Sequence, residues 1–323
     1  MAGIETYWYR LSPLHLILWP ASWLFCALTA LRRWLYRSHI LPSYRLAVPV
    51  IVIGNISVGG TGKTPLTLAL AGQLVAHGWH PLIVSRGFGG TAQQQQVTPA
   101  STAQQVGDEP LLMARRKLCP VWVGRDRVAT ARAALKVHPE CDVVLCDDGL
   151  QHYRLQRDVE IVVVDGVRRF GNGHLLPAGP LREAESRLKT VDAVVVNGGK
   201  TAQGQYAMKL SGTTFHNLRH PEKTASAADL QGLRLHAVAG IGHPQRFFDH
   251  LATLGLAVTP HAFPDHHPYC AADLAFNDCD ALLLTEKDAV KCAAFADESA
   301  WVLRVDAEID SALISHLLRK IAP

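Results

Sequence analysis

No Cys-x-x-Cys pair occurs anywhere in the 323 residues, and the seven cysteines are scattered. That pattern argues against a structural zinc ribbon and suits reduced thiols in a cytosolic compartment. Cys270, close to His266 and His267, is the one grouping whose residue types would suit a metal ion. Charge is sparse as well: 19% of residues are charged and the formal net charge is +4. This excess is too small to imply nucleic acid as a partner, though it suits an anionic substrate or a membrane surface. There is no internal repeat. No small-x-small cleavage site precedes Arg32 and no lipoprotein box surrounds Cys26, so a signal peptide is not expected. Hydrophobic residues make up 48%, which describes an ordered chain with room for two modest domains or one large α/β domain.

The strongest positive signal is a glycine-rich turn after the apolar run Val48 to Ile53. It reads Ser57-Val58-Gly59-Gly60-Thr61-Gly62-Lys63-Thr64. A strand that delivers such a loop lines up backbone N–H groups around phosphate oxygens. Lys63 brings a point charge to the β and γ phosphates, and the Thr64 hydroxyl can ligate Mg²⁺. Pro65 follows, at a helix start where its missing N–H costs nothing. The general pattern G-x-x-x-x-G-K-[ST] asks for Gly where Ser57 stands, so a ligand-free strand–helix turn is the bland alternative. Val58 occupies the place where partner-switching ATPases carry a second lysine, which argues against that class.

Upstream, Leu11 to Leu31 is almost free of charge and is followed by Arg32, Arg33 and Arg37. Its length approaches the roughly 20 apolar residues of a spanning helix. Trp8, Trp19, Trp23 and Trp34 are four of the chain's seven tryptophans, a residue that favours the membrane–water boundary. Pro13, Pro20, His15 and two serines make the segment a poor spanning helix. Three readings stand: an interfacial helix with its arginines on anionic headgroups, a true span, or a buried core helix. A nucleotide site downstream must face ATP, which puts the rest of the chain on the cytosolic side in each case.

Beyond the loop, helical and strand-like segments alternate, the mark of a wound parallel sheet. Thr64–His77 reads as helix and Pro81–Ser85 as strand. The polar stretch Gln93 to Gln96 reads as a mobile surface loop. Helices are expected over Gly107–Arg116 and Arg125–His138. Strands are expected at Val121–Val123, Val143–Cys146, Ile161–Val164 and Ala193–Val196. The pattern restarts near Ala207, with strands at Leu235–Ala239, Ala281–Leu284 and Trp301–Val305. The expected organisation is a membrane-associated helix over 1–40, a phosphate-loop core over 41–200 and a smaller α/β lobe over 201–323.

Asp147 and Asp148 follow four apolar residues at a strand end. This is the Walker-B arrangement, in which a carboxylate at the strand tip reaches Mg²⁺ beside the triphosphate; the alternative is a solvated Asp-Asp-Gly turn. Gly107-Asp108-Glu109-Pro110 places acids where a loop enters a helix, and capping explains them equally well. Asp265-His266-His267 is either a surface turn or the source of a histidine that, protonated beside an aspartate, forms a dyad able to accept a hydroxyl proton. Spacing alone does not show that Asp108 and His266 meet. Arg86, Arg125, Arg127, Arg168, Arg169 and Arg182 are available anion receptors, several of them plain surface charges.

Taken together, these strings resemble the tetraacyldisaccharide 4′-kinase family of lipid A biosynthesis. The resemblance rests on Gly54-Asn55 with Gly59 to Pro65, Ser85 to Gly90, Gly107 to Pro110, Asp147 to His152, Val164 to Gly173 and Leu176 to Glu183. Ala239 to Pro244 and Thr285 to Ala289 extend it, so it covers nearly the whole chain. It implies a P-loop kinase with ATP and Mg²⁺ as cofactors. The acceptor would be the 4′-hydroxyl of a membrane-embedded tetraacylated disaccharide 1-phosphate, and the enzyme would sit at the cytoplasmic face of the inner membrane. Family roles carried over put Ser57 to Thr64 around the triphosphate and Thr64, Asp147 and Asp148 at the metal. Asp108 would be the base and His266 its partner, with Lys63 on the transferred phosphate. Arg86, Gln151 and Arg182 are candidates for the acceptor. No protein partner is called for. The rival is a membrane-associated P-loop NTPase acting as a regulatory switch.

Overall fold

The computed structural model describes residues 4–9 and 14–322. Leu11 and Pro13 of the apolar segment lie outside the described residues. The chain divides into two compact units. One comprises Met1–Arg86, Gly124–Lys209 and Glu308–Pro323, and the smaller comprises Gly87–Val123 and Leu210–Ala307.

In the first unit, neighbouring strands run Tyr206–Ser211, Ala193–Asn197, Val159–Asp165, Val50–Gly54, Val143–Cys146 and Pro81–Ser85. Every one of these pairings is parallel. Val50–Gly54, Pro81–Ser85 and Ala193–Asn197 are buried at every position. A parallel sheet covered on both faces demands unbroken apolar runs of this kind. Each fully buried Ile or Val contributes about 1.5–3 kcal/mol relative to exposure. Register sets Val52 opposite Cys146, so the phosphate-loop candidate and the Asp147-Asp148 turn leave the sheet side by side at its carboxyl edge. The helix Lys63–Ala76 buries Leu66, Thr67, Leu70, Ala71 and Leu74. These recur at helical spacing on the face turned to the core.

Leu14–Arg37 is one 24-residue helix with Pro20 inside it. His15 and Ser22 are buried, whereas Ile17, Trp23, Leu24, Leu28 and Trp34 are exposed, Trp23 at 71%. Ser22 Oγ donates to the Leu175 carbonyl at 2.8 Å, and the Trp19 ring meets His174 edge-on. His15 and Ser22 thus face the protein, while these five apolar side chains face outward. Only 11% of the most apolar window is buried, so this is not a core helix.

The smaller unit carries a six-stranded sheet in the order Thr224–Ala225, Phe215–Asn217, Ala300–Leu303, Ala281–Thr285, Leu235–Ala239, Val258–Ala262. The last four are parallel and the first two add antiparallel. Phe215, Ala237, Leu251 and Leu283 fill one side of its core. One local expectation changes, and one strand comes with no sequence signal. Gln94–Val97 is a strand rather than a loop, with only Val97 buried. At a sheet edge, backbone pairing holds a strand whose side chains stay wet, so no hydrophobic signal marks it. Val258–Ala262 is an edge strand holding Pro260, exposed along most of its length and silent for the same reason.

Candidate active site

Within the first unit, the glycine-rich turn closes on the amino end of Lys63–Ala76. Gly62 caps that helix at φ +100, and a Cβ there would stand 2.5 Å from Asn197 Nδ2. That nitrogen donates to the Thr61 carbonyl at 3.0 Å. Asn55 Nδ2 donates to Thr61 Oγ1 and the Gly59 carbonyl, and Arg168 Nη2 donates to the Gly60 carbonyl at 2.7 Å. Carbonyls held backward by side chains leave loop amides free to face an anion. Val58 N–H donates to Pro180, and Ser57 bridges to Leu181. Asn197 was invisible to sequence reasoning, and Arg168, read as an anion receptor, braces the loop instead while bonding Asp165. A Gly62→Ala enzyme is expected to lose tenfold or more in ATP affinity, since the left-handed conformation costs about 1–2 kcal/mol with a Cβ and Asn197 must also move. Titration calorimetry measures this; unchanged affinity would show that the Asn197 brace does not shape the loop.

Asp147 is fully buried and accepts from Thr67 Oγ1 at 3.2 Å and Ser85 Oγ at 3.4 Å. Asp148 has φ +46, a conformation that aspartate tolerates better than most residues. It stands 3.5 Å from Lys63 Nζ and 3.6 Å from Arg182 Nη1. Burial pushes its carboxyl up, but Lys63, Arg182 and Arg127 outweigh that and hold it below the ordinary aspartate value. Lys63 and Arg182 both face its Oδ1. The Asp148 carboxylate beside the loop lysine, with the Thr64 hydroxyl on the same loop, is a donor set of the right chemistry for Mg²⁺. Gln151 donates to the Asn55 carbonyl and to Glu183 at 2.8 Å, while Arg86 is exposed. Arg127 is 5% exposed and donates to backbone carbonyls, a structural role.

Within the smaller unit, Asp108 opens the helix Asp108–Arg115 after Gly107, whose φ is +88. A Cβ on Gly107 would stand 2.6 Å from the Phe88 carbonyl oxygen. Asp108 Oδ1 accepts from the Glu109 amide at 2.9 Å, and Oδ2 accepts from His266 Nδ1 at 2.9 Å. The two residues are 158 positions apart in sequence. Burial raises the Asp108 carboxyl, and the bond from His266 with the charges of Lys287, His266 and Lys291 more than reverses it, so the group sits below its usual value. The same bond, acting against burial, raises His266 above an ordinary histidine. His266 has φ +61, and strained residues of this kind gather at working sites. Phe88 stacks obliquely on it, 5.1 Å between ring centres. His267 turns elsewhere, 3.2 Å from Asp273. A buried carboxylate oriented by a histidine can accept a proton from a hydroxyl group.

A family model for tetraacyldisaccharide-1-P 4′-kinase matches residues 14–322. The tetraacyldisaccharide 4′-kinase of Methylobacillus flagellatus is 52% identical over 319 residues, covering 98% of this chain and 95% of that protein. That of Azoarcus sp. is 51% identical, covering 99% and 96%. A crystal structure of LpxK from Aquifex aeolicus in complex with ATP superposes with a TM-score of 0.79 at 28% identity, over 95% of this chain and 99% of that one. The chain belongs to the tetraacyldisaccharide 4′-kinase family.

Proposed function

We propose that this protein transfers the γ-phosphate of ATP to the 4′-hydroxyl of a tetraacylated glucosamine disaccharide 1-phosphate, a step of lipid A biosynthesis. The observation that carries the reading is the pairing of Asp108 with His266 in a chain that also presents Lys63 on a phosphate loop. Phosphoryl transfer needs alignment and positive charge on the equatorial oxygens more than covalent chemistry. Lys63 and amides of the 57–64 loop beyond Val58, whose N–H is held by the Pro180 carbonyl, neutralise the triphosphate. Mg²⁺, when held by Thr64 and the Asp147-Asp148 turn, supplies further charge neutralisation on the β and γ oxygens. Asp108 accepts the hydroxyl proton while His266 orients the carboxylate. Arg182, already drawn to Asp148, and the exposed Arg86 are suited to phosphate groups. The direct test is transfer of label from γ-labelled ATP to the disaccharide; hydrolysis without transfer would favour a regulatory switch.

The acceptor's acyl chains keep it in the bilayer, because each CH₂ brought into water costs about 0.8 kcal/mol. The enzyme must therefore work at the membrane surface, on the side that holds ATP. The helix Leu14–Arg37 leans on the protein through Ser22 and presents Ile17, Trp23, Leu24 and Leu28 outward, which supports an interfacial placement. A Trp23→Glu, Leu28→Glu double variant changes two mostly exposed side chains and leaves the core intact. It is expected to release the protein from phospholipid vesicles in flotation assays and to keep ATP binding. Full co-flotation of that variant would remove the helix from the membrane role.

A further inference from the structure

The block Thr285-Glu286-Lys287-Asp288 is left without a role by the reading above, yet the smaller unit accounts for each of its side chains. Thr285 caps the helix Glu286–Cys292, accepting from the Asp288 amide. Glu286 pairs with Arg116 at 2.7 Å and accepts from Val305 N–H. Asp288 is fully buried, accepting from the Gly240 amide at 3.0 Å and pairing with Lys291 at 2.9 Å. Three residues thus fix the helix and leave Lys287 pointing among the acids. Its Nζ lies 3.0 Å from Asp265 Oδ1, 3.1 Å from Glu109 Oε1, 3.9 Å from Asp108 Oδ2 and 3.5 Å from His266 Nε2. The side chain is 16% exposed. One ammonium therefore serves three carboxylates and touches both members of the Asp108–His266 pair.

We propose that Lys287 is a positioning residue whose fixed positive charge keeps the Asp108–His266 pair free of the extra proton that would block its action as a base. This rests on the phosphoryl-transfer reading. Without the ammonium, Asp108, Glu109 and Asp265 face one another with His266 and the charge of Lys291, itself paired with Asp288, to balance them, and the pair takes up a proton at higher pH. The sign does not depend on which member is protonated first, because removing a cation favours protonation at either. The other charges near the pair are engaged: Glu286 with Arg116, Asp288 with Lys291, and His267 with Asp273. Lys287 is itself held charged, since Glu109, Asp108 and Asp265 outweigh the effect of burial and raise it above an ordinary lysine.

The test is the pH profile of kcat/KM for the full-length enzyme on tetraacyldisaccharide 1-phosphate in mixed micelles with labelled ATP. Lys287→Gln is expected to move the acid limb up by about 1–2 pH units, with KM for ATP unchanged. Activity then falls tenfold or more at pH 6, and the loss shrinks toward pH 8.5. Lys287→Arg, which keeps the charge, leaves the limb within about half a unit of wild type. Asp265→Asn removes one competing carboxylate from a part-exposed site and moves the limb the other way, to lower pH. A loss from Lys287→Gln that is equal at every pH, or an Asp265→Asn limb that stays or rises, overturns the inference, the latter even where Lys287→Gln fails to fold. A wild type that passes no label to the disaccharide overturns the kinase reading and this inference together.

Discussion

An Asp108→Asn enzyme is expected to bind ATP with wild-type affinity and to lose about 10²–10⁴ in kcat. Asparagine keeps the shape of the side chain and its oxygen can still accept from His266 or from the Glu109 amide, so the helix Asp108–Arg115 keeps its start. What disappears is a site for the hydroxyl proton. The loss should not exceed this range, because phosphoryl transfer draws most of its acceleration from alignment and charge, which the substitution leaves in place. His266→Ala should act in the same direction. Since the histidine works through the carboxylate, the double variant should lose much less than the product of the two single losses. Single-turnover transfer and calorimetric ATP binding, measured on the same preparations, separate chemistry from binding. An Asn variant that turns over within threefold of wild type would remove Asp108 as the base.

Replacing Lys63 by Ala is expected to cost about 10²–10³ in kcat/KM for ATP, the size of losing one preorganised positive donor. The effect should fall on ATP and spare the lipid's KM, because the lysine belongs to the phosphate loop. A second signature follows from Asp148, which Lys63 helps to keep ionised. A carboxyl depressed in the folded state contributes stability that is present above its unfolded value of 3.8 and is lost as pH falls through the folded value. Lys63→Ala takes away part of that depression, though Arg182 remains 3.6 Å from the same oxygen. The variant's melting temperature should therefore fall less than that of wild type between pH 5 and pH 3. Equal acid sensitivity in both would mean that the Lys63–Asp148 pair carries no weight in the folded protein.

Much of the site could be read in the chain before any coordinates. Ser57 to Thr64 announces its own conformation, since Gly59 and Gly62 are glycines where φ is +94 and +100. The Asp147-Asp148 turn follows directly from a buried strand, and the register to Val52 brings it beside the loop. Thr67 and Ser85, which hold Asp147, went unnoticed because a hydroxyl inside a helix or at a strand end carries no sequence signature of its own. Asn197 was missed for a similar reason: its task is to stand behind Gly62, and only folding puts it there. Arg168 shows the opposite error, a charge read as a ligand receptor that spends its hydrogen bonds on Asp165 and the loop carbonyl of Gly60.

By itself the sequence determined whatever depends on neighbours along the chain. That includes the phosphate loop, the buried parallel strands, the acid turn and the apolar helix with arginines after it, because backbone conformation and hydrophobic period are local properties. Tertiary structure alone decided the rest. It set Asp108 against His266 across 158 residues, brought Lys287 to both, and grouped Gly87–Val123 with the carboxyl-terminal strands. Pairings of that kind are settled by the path of the whole chain through its two cores, and no spacing between residues encodes that path.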